Sequence, residues 1–163
     1  MNKNTTLTLA HYQSWANQKL FKTLQDLAQD LYFKNFGLSY HSLHGTLNHL
    51  IAANQLWQYR ITGFGSLPSA LNTIFHEDLE STLTELEKFD QFWINYVKDE
   101  PKLDQFSNFK MQNGNDYSFS KEICLHHFWH HCSLIRGQVQ ATLTQQNIIC
   151  PPIDMIFYLM ETP

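Results

Sequence analysis

Two segments of the chain carry histidines at a spacing that suits metal chemistry. Leu125-His126-His127-Phe128-Trp129-His130-His131 holds four of the nine histidines, and Leu47-Asn48-His49-Leu50 holds another. His127 and His131 are four residues apart, so on a helix they stack on one face about one turn apart. A helix offers two imidazoles to one transition ion at that spacing. A third imidazole from another helix, His49, would complete a facial set and leave positions for water or substrate. His49, His131 and His127 are therefore the candidate ligands. Zinc, nickel or a similar divalent transition metal is the candidate cofactor.

These residues need helices to hold them, and the apolar periodicity supplies them. A first helical run covers about Thr6 to Gln29, with Leu9, Tyr12, Trp15, Ala16, Leu20, Leu24 and Leu27 at spacings of three and four. After a loop through Phe36-Gly37-Leu38, Ser39 is the predicted N-cap of a second helix that reaches about Thr62 and stops at Gly63 and Gly65. Gly63 to His76, with Pro68, reads as a long connection. A third helix is predicted from about Glu77 to Lys98, closed by Pro101. Between Pro101 and Ser120 the period changes, and Asn113-Gly114 signals a small β-hairpin. Ser120 then caps a fourth helix over about Lys121 to Gln146, ended by Asn147. Pro151-Pro152 opens a short last helix, Ile153 to Met160. The expectation is an all-α single domain over 1–163, a four-helix bundle with one hairpin before the fourth helix.

On that frame, the face of the fourth helix centred on His131 contains Cys124, His127, Phe128, Leu134, Ile135, Gln138 and Thr142. The face of the second centred on His49 contains Ser42, Gly45, Thr46, Ala52, Ala53 and Leu56. His127, His131 and His49 are thus expected inside, as ligands or as core histidines satisfied by a nearby hydroxyl or carbonyl. His126, His130 and His44 are expected at the solvent surface or at a subunit contact. His11, His41 and His76 have no assignable partner. Cys124 reads as a small apolar filler beside the pocket.

Composition narrows the classes. The chain has 163 residues, 43% hydrophobic and 16% charged, with a net charge of −4 and no basic block, so a nucleic-acid partner is not expected. No apolar run approaches membrane-span length, and the N-terminal Met1–Thr6 segment has no signal-peptide character. Cys124, Cys132 and Cys150 lack Cys-x-x-Cys spacing and read as reduced thiols of a cytoplasmic protein. Neither a Gly-x-Ser-x-Gly elbow nor a phosphate-cradling glycine loop is present.

Several segments together resemble the DinB/YfiT-like superfamily of metalloenzyme-type proteins, a family unrelated to the DNA polymerase of similar name. They are Tyr12-Gln13-Ser14-Trp15-Ala16-Asn17, Gly45-Thr46-Leu47-Asn48-His49-Leu50 with Trp57, Arg136-Gly137-Gln138-Val139, and Pro152 to Leu159. The resemblance implies one histidine ligand on the second helix and a His-x-x-x-His pair ending just before Arg-Gly-Gln. The first maps to His49 and the second to His131, but the third falls on Ile135, which cannot ligate. Three outcomes stay open: His127 substitutes from the preceding turn, water completes a weak site, or the metal is lost. The resemblance further implies a homodimer and a metal-dependent enzyme, a thiol S-transferase or hydrolase type acting on a small molecule with a low-molecular-weight thiol. The alternative is a non-catalytic small-molecule-binding or stress-associated bundle protein without metal. A purely helical interaction module would leave the inward histidines unexplained.

Overall fold

A computed structural model describes residues 3–100, 102–111 and 113–162. Among them are six helices and one hairpin: α1 (Lys3–Gln25), α2 (Gln29–Phe33), α3 (Leu43–Thr62), α4 (Leu79–Asp99), β1 (Phe106–Lys110), β2 (Asp116–Ser120), α5 (Lys121–Gln145) and α6 (Met155–Glu161). The four long helices pack side by side as a helical bundle, α1 against α4 and α5, and α3 against α4 and α5. No helix among the described residues is long and apolar enough to cross a membrane.

The core runs down the middle of the bundle through Leu20, Leu24, Leu47, Ile51, Leu86, Trp93, Phe128, Ile135 and Val139. Burying side chains of this size contributes about 1.5–3 kcal/mol each, which is what holds the long helices together. Trp93 also donates its indole N–H to Asn54 Oδ1 at 2.8 Å, so its polar edge is satisfied inside. A polar thread crosses the core. Arg136, 2% exposed, donates to Asn17 Oδ1 at 3.0 Å, and Asn17 Nδ2 donates to both carboxylate oxygens of Asp90. The Arg136 guanidinium lies 5.8 Å from the centre of the Tyr12 ring. The Tyr12–Asn17 and Arg136–Val139 segments therefore meet as a structural clamp between α1, α4 and α5.

Several boundaries differ from the sequence reading. The first helix stops at Gln25, and Gln29–Phe33 forms a separate turn of helix that burial of Tyr32 secures. Ser42, not Ser39, caps α3, its Oγ accepting from Gly45 N at 3.0 Å. Asp78 caps α4 by accepting from Ser81 N. Ser120 caps α5 as expected. The last helix begins at Met155, after Asp154, rather than at Ile153. Pro101, the expected stop of the third helix, lies outside the described residues, as do Met1 and Asn2; α4 ends at Asp99. The hairpin pairs Phe106 with Ser120 through Lys110 with Asp116. Gly114 stands at φ +81° in its turn, and Asn113 Oδ1 accepts from Asn115 N.

Candidate functional site

His49 and His131 meet where α3 and α5 face each other: their Nε2 atoms are 3.0 Å apart and their rings stand edge to face at 84°. His49 is 3% exposed and His131 is half-buried. His49 Nδ1 lies 2.9 Å from the carbonyl oxygen of Leu71. A carbonyl only accepts, so Nδ1 carries the proton, and the lone pair of the neutral ring sits on Nε2. His131 must then donate its own Nε2–H to that lone pair. Burial pushes both imidazoles below the ordinary histidine value. For His131 the charges of His49 and His127 push the same way, while for His49 the Leu71 carbonyl pulls partly back. The pair is neutral at pH 7.

The surroundings of His49 come from loops that periodicity does not show. Gly45 lets the backbone of Tyr40 rest directly on α3, since a Cβ there would collide with the Tyr40 carbonyl oxygen. The Tyr40 ring is thereby stacked on the His49 imidazole, centroids 3.9 Å apart and planes within 14°. Asn48, fully buried, holds the 63–78 connection with its amide. Oδ1 accepts from the Phe75 and His76 amides, and Nδ2 donates to the carbonyls of His76 and His44. That clamp fixes the connection that brings Leu71 to His49. Asn48 had a sequence signal that was missed: an amide inside the apolar run Leu47–Ile51 must find partners. The Leu71 carbonyl had none, because a main-chain acceptor has no residue type.

The other histidines divide differently from expectation. His127 is exposed, not inward, and its ring lies against Trp57 at 4.9 Å. Leu134, placed on the same inward face, is 60% exposed. The buried stripe of α5 instead runs through Cys124, Phe128, Cys132, Ile135 and Val139. His126 and His44, expected outside, are buried, whereas His130 is exposed. His126 lies one turn from Glu122, whose carboxylate accepts from Thr6 Oγ1, so this side of α5 is turned toward α1. His44 is covered by Tyr32 and Phe33 of the unforeseen α2, and its Nε2 meets the carbonyl of His76 at 3.0 Å.

One hollow opens beside the neighbours of His49 and another around His127. A cleft of about 600 Å³ is bounded by Ser39, Tyr40, Ser69, Leu71 and Asn72 and reaches His49 through Tyr40 and Leu71. A second, of about 350 Å³ and almost wholly apolar, is walled by Trp57, Phe109, Met111, Phe119, Cys124 and His127. Burial raises the Cys124 thiol, so it stays protonated and unreactive. A groove of similar volume between α2 and α4 contains no histidine, so size alone does not select the site.

The donor set tests the metal expectation. Two nitrogens each about 2.1 Å from one ion and at right angles stand about 3.0 Å apart, and a ligating histidine commonly donates its other N–H to a carbonyl. The pair satisfies the first condition, and His49, through Leu71, the second. At the position where the resemblance implies a third histidine stands Ile135, which is 3% exposed. Among the described residues no three His, Cys, Asp or Glu side chains gather into a metal-holding group. The residues fit two ligands and not a three-ligand site.

The sequence profile described as the DinB family matches residues 1–162. The chain is also similar to Protein DinB of Bacillus subtilis (strain 168), with 21% identity over 161 residues, covering 94% of this chain and 93% of that protein.

Proposed function

Because the chain belongs to the DinB family, we propose that it is a small-molecule-binding protein of four-helix-bundle type, in which His49 and His131 work as a neutral imidazole pair beside the Tyr40–Leu71 cleft and hold a divalent transition ion only weakly. The observation that carries this reading is the buried Ile135 in the third ligand's place, next to two nitrogens already bonded to each other. A ligand with an O–H or N–H can displace His131 from the lone pair of His49 and donate to it. Either imidazole can take up a proton, because both are neutral at pH 7.

A second reading, a metal-dependent thiol S-transferase or hydrolase type using a low-molecular-weight thiol, is favoured by the 3.0 Å nitrogen separation and the Leu71 anchor. Two ligands leave such an ion loosely held. Calorimetric titration of zinc or nickel into protein without a histidine tag decides between the two. Weak binding by the wild type and a rise of about 10-fold or more in Ile135→His are expected, taking 10–100-fold as the scale of even an indirect change at a metal site. Tight stoichiometric binding by the wild type, or equal affinity in the two proteins, overturns the proposal. If binding is tight, its loss in His127→Ala identifies His127 as the replacement ligand.

A further inference from the structure

The hollow under the hairpin has apolar walls and a positive charge beside it. Trp57, Phe109, Met111, Phe119, Ile123 and Cys124 bound about 350 Å³, and no Asp or Glu lines the space. That volume is near the lower end of the roughly 300–1,000 Å³ of small-molecule sites. Trp57 stands eight residues, about 12 Å of helix rise, beyond His49, and Cys124 seven residues, about 10 Å, before His131. The hollow also shares no lining residue with the Tyr40–Leu71 cleft. It is a separate place.

Arg60, one turn after Trp57 on α3, supplies the charge. Its guanidinium carbon lies 5.0 Å from the centre of the Trp57 ring and 4.7 Å from that of Phe109, so two walls of the hollow hold it. Its charge reaches the Cys124 sulfur on a third wall, where it opposes the upward push of burial. Arg60 is half-buried, and among the described residues no carboxylate pairs with it. Burial pulls its own pKa down, and the group that pushes back is the Cys124 thiol rather than an acid. Other sheltered cations are answered: Lys121 meets Glu100 at 2.8 Å, and Arg136 reaches Asp90 through Asn17. Taking a guanidinium partly out of water is costly without an anion, and two rings offset only part of that cost. Stacking fixes the plane of the group, and its planar fork of N–H donors suits a carboxylate in bidentate contact. The walls favour an aromatic body beside that carboxylate. Trp57 and Phe109 already meet edge to face at 5.7 Å and 82°, the packing a further ring can extend.

We propose that the hairpin pocket binds a small aromatic carboxylate, its ring among Trp57, Phe109 and Phe119 and its carboxylate on the guanidinium of Arg60. The site is independent of the His49–His131 pair. Calorimetric titration of the full chain with 2-naphthoate and with its neutral isostere 2-naphthamide tests it. The wild type should bind the carboxylate about 10-fold more tightly than the amide, the scale of one hydrogen bond to a charged group. Arg60→Gln should bind both probes equally, at the wild type's affinity for the amide and with unchanged circular dichroism. Arg60→Lys should recover part of the preference, since it keeps the charge and loses the fork. In proton–nitrogen correlation spectra of the wild type, 2-naphthoate should move the Trp57 indole signal, identified by its loss in Trp57→Phe, together with the hairpin amides. The Trp93 indole, bonded to Asn54, should stay in place. The wild-type titrations and spectra stand whether or not the Arg60 variants fold. No binding of 2-naphthoate by the wild type, equal affinity for the two probes, or an undiminished preference in Arg60→Gln would each overturn the proposal. So would shifts centred on Tyr40 and Leu71, which would place the carboxylate in the cleft beside His49.

Discussion

α4 and α5 are similar in length and lie on the same bundle, yet they solve opposite problems. α4 buries Leu83, Leu86, Phe89, Trp93 and Val97 on one stripe and exposes Glu80, Glu87, Lys88, Gln91, Asn95 and Lys98 on the other. Its sequence states which side is inside. Beyond Lys121 and Glu122 at its start, the one charged side chain of α5 is the buried Arg136, so its periodicity permits more than one inward face. The contrast teaches that a helix with a single apolar stripe is positioned by its own pattern. A helix with two is positioned by its neighbours, and its second face is free for another task.

The largest expected effect lies in the stripe of α4. Trp93→Ala should cost about 3–5 kcal/mol in urea denaturation, through the cavity and the loss of Asn54's partner. On the outer face of the same helix, Glu87→Ala should change stability by no more than about 0.5 kcal/mol. A Trp93→Ala loss as small as that of Glu87→Ala would show that the stripe does not define the core.

The histidine face of α5 depends on α3 and its clamp. Asn48→Ala should cost about 2 kcal/mol, since several main-chain groups lose their partner. Faster hydrogen exchange at the Phe75 and His76 amides is the specific readout. Unchanged exchange there would mean that the 63–78 connection holds itself.

A smaller effect of opposite sign is expected on the outer face of α5. Gly137→Ala should add about 1 kcal/mol of stability, because helix propensity improves and a Cβ meets nothing. Destabilisation instead would show that Gly137 serves the fold of the single chain.

The last effect is directional. The folded pKa values of His49 and His131 lie below the unfolded value of about 6.5. On acidification the unfolded chain therefore takes up protons first. The pair's contribution is complete above about pH 6.5 and declines as pH falls through that value toward the folded pKa values. Asp90 acts oppositely. Burial, partly offset by Asn17 and Arg136, pushes it up to about 7, so its contribution is greatest at low pH and fades as pH rises toward 7. Nuclear magnetic resonance titration of the two imidazoles separates the terms, and midpoints at or above 6.5 would contradict a desolvated neutral pair.

Much of the bundle was legible because a 3.6-residue period, a capping serine at Ser120 and an Asn-Gly turn are local signals. His49 and His131 were legible as partners for the same reason, with the Arg136-Gly137-Gln138 resemblance fixing which histidine of the cluster to choose. His127 was misplaced because Leu134, three residues beyond His131, gave the outer face of α5 a core-like pattern. His44 was misplaced because α2, only five residues long, is too short for periodicity to reveal, and it is what covers that ring.

By itself, the sequence determined the helices and the hairpin, since each is a matter of residue type and local spacing, and its family resemblance singled out His49, His131 and Ile135. Tertiary structure alone decided that the two imidazoles bond to each other, that Leu71 fixes the tautomer of His49, that Asn48 holds that carbonyl in place, and which face of α5 is left open. Those facts depend on where separate segments come to rest in space, and a main-chain carbonyl or a bare helix face leaves no mark in the residue types that create it.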